Sequence, residues 1–235
     1  MVSLVIGINI DAAELDYIIS VGTSYRTNYK QRHKLTQAIV RKSSYNRTMD
    51  EMATSYHTKT PYGHIPILFI DGKKSLAESR PIARYIAKEH NLAGKDNFEQ
   101  ERLNSIVDYL LDWFRNVFPY CLTKMGFKTY QDFLHLKKSD GLDAIVDQLY
   151  KEQWLPNIQQ ELPILENLVK DSTTGFLSKD GVTWADFFVA EFIHSFQQID
   201  PEIQKKHPEL ISYKNRVYEL SEIKEYVATR KNDFL

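Results

Sequence analysis

Glu78-Ser79 stands directly before an apolar helical repeat, and that placement can do chemistry. The first amides of a helix lack intrahelical partners and lie at the positive end of its dipole, so a ligand carboxylate is favoured there. Upstream, Gly63-His64-Ile65-Pro66 leads into the β-branched and aromatic run Ile65 to Ile70. Pro66 has no N–H and cannot sit centrally in a ladder, so taken alone it reads as a strand start. His64 taken alone reads as a polar surface residue. Asp108 and Asp112 are four apart in a long helical pattern and therefore share one face. Trp113, Phe118 and Tyr120 follow on that pattern, an aromatic stripe suited to a core or to an apolar pocket.

The elements that must position these residues are legible in outline. Asp71-Gly72 is a turn pair closing the strand. Ser79 is expected as the N-cap of the next helix, with Pro81 tolerated in its first turn. Ile82, Tyr85 and Ile86 give that helix one apolar face. His90 to Asn97 reads as a linker. Leu103, Ile106, Val107, Leu110, Leu111, Phe114 and Val117 then mark a long amphipathic helix, which Pro119 is expected to stop. Two helices follow near Asp143–Gln153 and Ile158–Lys170, with Pro156 and Pro163 as kinks or breaks. Thr183-Trp184-Ala185-Asp186 resembles a capping box with Asp in place of Glu, and Val182 and Phe187 sit where a hydrophobic staple would lie. The helix it opens, Trp184 to Phe196, is apolar on most faces and is expected to be buried. Shorter helices are expected near His207–Leu220 and Ser221–Thr229. The plan is an α/β half, residues 1–90, followed by an all-α half, residues 97–235.

Bulk properties narrow the class. The 235 residues are 43% hydrophobic and 26% charged, ordinary for a soluble globular chain large enough to need no disulfide. Cys121 is the only cysteine, which fits a reducing compartment, the cytoplasm. A net charge of −1 gives no global field for nucleic acid or an anionic membrane, so neither is expected as a partner. No apolar run approaches the roughly 20 residues of a membrane span. Met1 to Ile10 is apolar, lacks a basic flank and is followed by Asp11 and Glu14, so it reads as a strand rather than a signal peptide.

Three stretches resemble the cytosolic glutathione transferases, sigma class, in particular the nematode enzymes and the haematopoietic prostaglandin D synthase branch. One runs from Thr60-Pro61-Tyr62-Gly63-His64-Ile65-Pro66 through Asp71-Gly72 to Glu78-Ser79-Arg80-Pro81-Ile82-Ala83-Arg84-Tyr85-Ile86-Ala87. The second is Asn91-Leu92-Ala93-Gly94, with Glu99-Gln100 and Ile106-Val107-Asp108 behind it. The third is Gly181-Val182-Thr183-Trp184-Ala185-Asp186-Phe187. The resemblance implies a thioredoxin-like domain joined to an all-helical one, usually in a homodimer. It implies glutathione as co-substrate, no permanently bound cofactor, no metal, and a small hydrophobic electrophile as second substrate. In such a site Gly63 and His64 lead into a cis Pro66 that exposes the backbone of Ile65 to the cysteinyl part of glutathione. Glu78 and Ser79 take the γ-glutamyl carboxylate, and Met52 stands near the glycine end, where the family has a tryptophan. Asp112 reaches the γ-glutamyl amine of the partner's glutathione, while Trp113, Phe118 and Tyr120 line the electrophile pocket.

The family's chemistry also needs a tyrosine at the end of the first strand, hydrogen-bonded to the glutathione sulfur. A free thiol has a pKa of about 8.5, and a hydrogen bond to the thiolate contributes roughly 1.5–3 kcal/mol, enough to lower that pKa by about one to two pH units. The first 44 residues do not carry the family's Tyr-Phe-x-x-Arg-Gly-x-Ala-Glu pattern. Either Leu4 to Ile10 is the first strand, or Tyr17 to Gly22 is, and the second register puts Tyr25 just beyond the slot. Tyr25 is therefore the candidate thiol donor. A glutathione transferase is the first expectation, and a catalytically weak or inactive binding or structural relative is the alternative.

Overall fold

The computed structural model describes residues 61–62, 67–70, 74–124, 142–170 and 172–229. The chain divides into two compact units: Met1–Lys95 with Tyr218–Lys231, and Asp96–Val217 with Asn232–Leu235.

In the first unit β1 (Ile67–Ile70) and β2 (Lys74–Ala77) pair antiparallel, with Ile67 opposite Ala77 and Ile70 opposite Lys74. Helix α1 (Ser79–Glu89) packs on both strands and buries Ile82, Ala83, Ile86 and Ala87. Ser79 is the first helical residue and the cap position falls on Glu78, one residue earlier than expected. The far end closes by a Schellman stop. Asn91 is left-handed (φ 58°), and the amide of buried Leu92 reaches the Ala87 carbonyl at 2.8 Å. The stretch read as a linker thus begins with an ordered helix terminator. Helix α8 (Lys224–Thr229) belongs to this unit.

The second unit is helical. In α2 (Asn97–Lys124) the Asp96 carboxylate accepts the Glu99 amide at 3.0 Å, capping the first turn. Pro119 lies inside α2 and does not stop it. A mid-helix proline costs about 3 kcal/mol through one lost hydrogen bond and a clash with the carbonyl four residues back. Here Val117, Tyr120 and Cys121 are buried on either side of it, and that packing holds the helix through the fault.

The stretches around Pro156 and Pro163 also form one helical run: α3 (Leu142–Leu149), a π turn (Tyr150–Trp154) and α4 (Leu155–Lys170). Pro156 has no N–H to offer the Glu152 carbonyl. The wider turn absorbs the fault, and the Leu155 amide donates instead to Tyr150. Helix α5 (Trp184–Ile199) is buried along most of its length and packs on α2. Its first turn carries the expected capping box, with Asp186 accepting the Thr183 amide at 2.7 Å. The short α6 (Glu202–Lys206) and then α7 (Pro208–Tyr218) follow. Among the described residues no helix is long and apolar enough to cross a membrane.

Candidate functional site

The chain turns from β2 into α1 at a single residue, Glu78, with φ 73° and ψ 131°. A left-handed conformation costs a side-chain-bearing residue roughly 1–2 kcal/mol, and such strain persists where the surroundings impose it. The result is a helix start without a side-chain cap: Glu78 makes no capping hydrogen bond and leads directly into half-buried Ser79. Its carbonyl accepts the Ile82 amide at 3.1 Å, so its own backbone is already locked to the helix. No acidic side chain lies in the first turn, and Arg80 and Arg84 follow on one face. Positive charge, a dipole terminus and an uncapped helix start together favour a carboxylate. The sequence pointed to these two residues; it did not reveal the left-handed backbone, because glutamate has no preference for that region.

The other half of the predicted site, Tyr25, Met52, Gly63, His64, Ile65 and Pro66, lies outside the described residues, as do both candidate first strands. What is described next to it is β1, which begins at Ile67, one residue after Pro66.

In the second unit Asp112 is 71% exposed and pairs with Arg115 at 2.8 Å, an ion pair on the solvent face of α2. Asp108 is half-buried on the same helix. Trp113 is 3% exposed, with its ring 5.1 Å from those of Phe192 and Phe196 and its indole N–H unpartnered. Tyr120 is equally buried against Trp154 (4.9 Å) and Tyr150 (5.7 Å), and burial together with the nearby Asp200 carboxylate pushes its phenol pKa up. Phe118, half-buried, packs edge-on against Phe114 at 5.5 Å. Trp113 and Tyr120 therefore belong to the core of the helical unit, and Phe118 is the one with appreciable surface. No group of described residues could hold a metal ion.

Polar contacts hold this unit together, and apart from the Thr183–Asp186 box the sequence did not signal them. Tyr109 on α2 donates to Glu161 on α4. The Trp154 indole donates to Asp200 at 2.9 Å. Asp186 gathers four donors: the Leu177 amide (2.8 Å) and Tyr213 hydroxyl (2.6 Å) on one oxygen, and the Thr183 amide and hydroxyl (2.7 Å each) on the other. Burial pushes its carboxyl pKa up, and the hydrogen bonds oppose that.

Residues 41–95 match the glutathione S-transferase N-terminal domain and residues 143–230 the C-terminal domain. Probable glutathione S-transferase 5 of Caenorhabditis elegans is 33% identical over 171 residues, 72% of this chain and 74% of the relative. The chain belongs to the glutathione S-transferase family. Glutathione S-transferase 4 of the same nematode is 30% identical over 176 residues, 75% of this chain and 78% of that one. The structure of Na-GST-3, a monomeric glutathione S-transferase of the hookworm Necator americanus, superposes with a TM-score of 0.71 at 27% identity, over 95% of this chain and 94% of its own. The fold is therefore that of glutathione S-transferases, a thioredoxin-like α/β domain followed by an all-α domain.

Proposed function

We propose that this chain is a glutathione transferase, of the sigma class, that conjugates the glutathione thiol to hydrophobic electrophiles. The observation that carries the reading is Glu78. A strained, left-handed glutamate at an uncapped helix start is costly to the fold, and a ligand carboxylate is the partner that start suits. Glutathione's γ-glutamyl carboxylate would dock on the Glu78–Ser79 backbone. The exposed backbone of Ile65 before Pro66, with Gly63 and His64 leading in, would pair with the cysteinyl part, and Met52 would flank the glycine end. Tyr25 would donate to the sulfur. Phe118 would line the electrophile pocket, with Trp113 and Tyr120 supporting it from behind. Nothing beyond glutathione is needed as co-substrate, and no resident cofactor is required. In a homodimer Asp112 would reach the partner's glutathione amine. The lone, buried Cys121 suits the cytoplasm.

The test is retention on immobilised glutathione together with turnover of 1-chloro-2,4-dinitrobenzene. Retention with turnover is expected, and Tyr25→Phe should lower turnover at least tenfold, the effect of about 1.4 kcal/mol. Retention without turnover would favour the alternative of a binding protein, which the missing N-terminal tyrosine pattern motivates. Absence of retention at millimolar glutathione would sink the reading.

A further inference from the structure

The tryptophans of the chain are Trp113, Trp154 and Trp184, and all are buried. Two of them belong to one connected series of rings in the helical unit. Trp113 on α2 stands 5.1 Å from Phe196 on α5, and Phe196 stands 4.9 Å from Trp154 in the π turn. Contacts continue from Trp154 to Tyr120 (4.9 Å) and from Tyr120 to Tyr150 (5.7 Å). Trp113, Phe196, Trp154 and Tyr120 are each no more than 3% exposed, whereas Tyr150 is only half-buried. The series thus runs from the core to the surface. Trp184 lies apart from it, with Phe188 as its ring neighbour at 6.4 Å and no tyrosine beside it among the described residues.

Packing accounts for the contacts, but the two indole N–H groups give the series a direction. Trp113 Nε1 has no acceptor among the described residues, while Trp154 Nε1 donates to Asp200 at 2.9 Å. An indole that loses one electron becomes a radical cation with a strongly acidic N–H. At Trp113 nothing takes that proton, so a charge stays buried without compensation. At Trp154 the proton has the Asp200 carboxylate to go to, and the ring is left as a neutral radical. An electron vacancy formed at Trp113 is therefore drawn to Trp154. At the outer end, burial and then the Asp200 and Glu202 carboxylates push the Tyr150 phenol pKa up, and Glu202 is itself paired with Lys205. The unbalanced negative charge of Asp200 beside Tyr150 makes removal of an electron from that ring easier.

We infer that Trp113, Trp154, Tyr120 and Tyr150 form a route that carries one-electron oxidation out of the helical core to the surface, sparing the interior from oxidative damage. A one-electron oxidant, such as a peroxyl radical, takes an electron from Trp113. An electron passes from Trp154 to Trp113, and Trp154 gives its N–H proton to Asp200. Tyr150 then supplies an electron to Trp154 across the Tyr120 ring. The proton returns from Asp200 to the indole nitrogen, and the Tyr150 phenol releases its own proton to water. The net change is one electron from Tyr150 to the oxidant and one proton to solvent. A thiol in solution transfers a hydrogen atom to the phenoxyl oxygen, becoming a thiyl radical, and the chain is restored. The inference does not depend on the reaction proposed above.

Light at the red edge of the indole band excites tryptophan and not tyrosine, and hexaamminecobalt(III) accepts the electron irreversibly. Flash photolysis of the full chain under these conditions should show the indole radical decaying as a phenoxyl radical grows in. Tyr150→Phe should remove most of the phenoxyl yield and raise the oxidised product at Trp154, read by peptide mass spectrometry. Trp154→Phe should shift that product to Trp113. Trp184 is the internal control and should stay constant in both variants. Melting curves check that the variants fold, and the time course on the unmodified chain needs neither of them. Indole radicals that persist without a phenoxyl signal would overturn the inference. So would a phenoxyl yield indifferent to Tyr150→Phe, or a rise at Trp184 equal to that at Trp154.

Discussion

The Tyr213 hydroxyl donates to Asp186 at 2.6 Å, tying α7 to the first turn of the buried helix α5. Both side chains are out of solvent, and the same carboxylate also holds Thr183 and the Leu177 amide. Removing one donor to a carboxylate costs about 1.5–3 kcal/mol, whereas removing the acceptor leaves several buried donors unmet. Tyr213→Phe should therefore lower urea stability by about 2 kcal/mol, and Asp186→Ala by more than about 3 kcal/mol. Equal losses from the two variants would show that Asp186 does not act as the hub.

His90, at the C-terminal end of α1, is buried with its Nε2 unpartnered. Burial lowers its pKa below 6.5, and the negative charge of Glu89 opposes this only in part. The unfolded chain therefore takes up the proton first as pH falls, so stability is lost as pH drops through about 6.5 toward the folded value and is unaffected well above it. The melting temperature of His90→Phe should show a smaller fall between about pH 7.5 and about pH 5.5 than that of the unmodified chain. Parallel curves would remove His90 as the source.

Gly175 has φ +82°, its carbonyl accepts Arg216 Nη1 at 2.9 Å, and an added Cβ would stand 3.0 Å from the Arg216 side chain. Arginine is flexible and can yield, so backbone strain dominates. Gly175→Ala should destabilise by about 1 kcal/mol, and Gly175→Asn by less, because asparagine tolerates left-handed backbone better. Denaturant midpoints at constant slope would decide between them.

Glu78 offers the reverse case. Glycine lacks the Cβ that crowds a positive φ, so Glu78→Gly should relieve part of the strain and stabilise the fold by about 0.5 kcal/mol. The proposed function expects the same variant to bind glutathione more weakly by calorimetry, because a looser turn no longer holds the helix start in place. A gain in both stability and affinity would argue that the strained conformation has no binding role.

What could be read beforehand followed the scale of the signal. Helix faces such as Ile82 and Ile86, or Leu103 to Val117, announce themselves by periodicity, and the Thr183–Asp186 box by side-chain chemistry. Pro119 misled. It lies within a helix because packing from distant segments outweighs a local penalty, and no local pattern encodes that packing. The Asp200–Trp154 and Glu161–Tyr109 pairs join residues 46 and 52 apart, beyond any short motif. Of the candidate site, Glu78-Ser79 is picked out by position and resemblance, whereas its positive-φ backbone is a product of folding.

The π turn at Tyr150–Trp154 holds one residue more than an ordinary helical turn would between the same neighbours. It is therefore the point in the long run from Leu142 to Lys170 where the chain can gain or lose a single residue without turning its apolar faces away from the core. A one-residue gap between this chain and a homologue, if it falls anywhere in this helix, belongs there, and deletion of Lys151 is the shortening the helix should best survive.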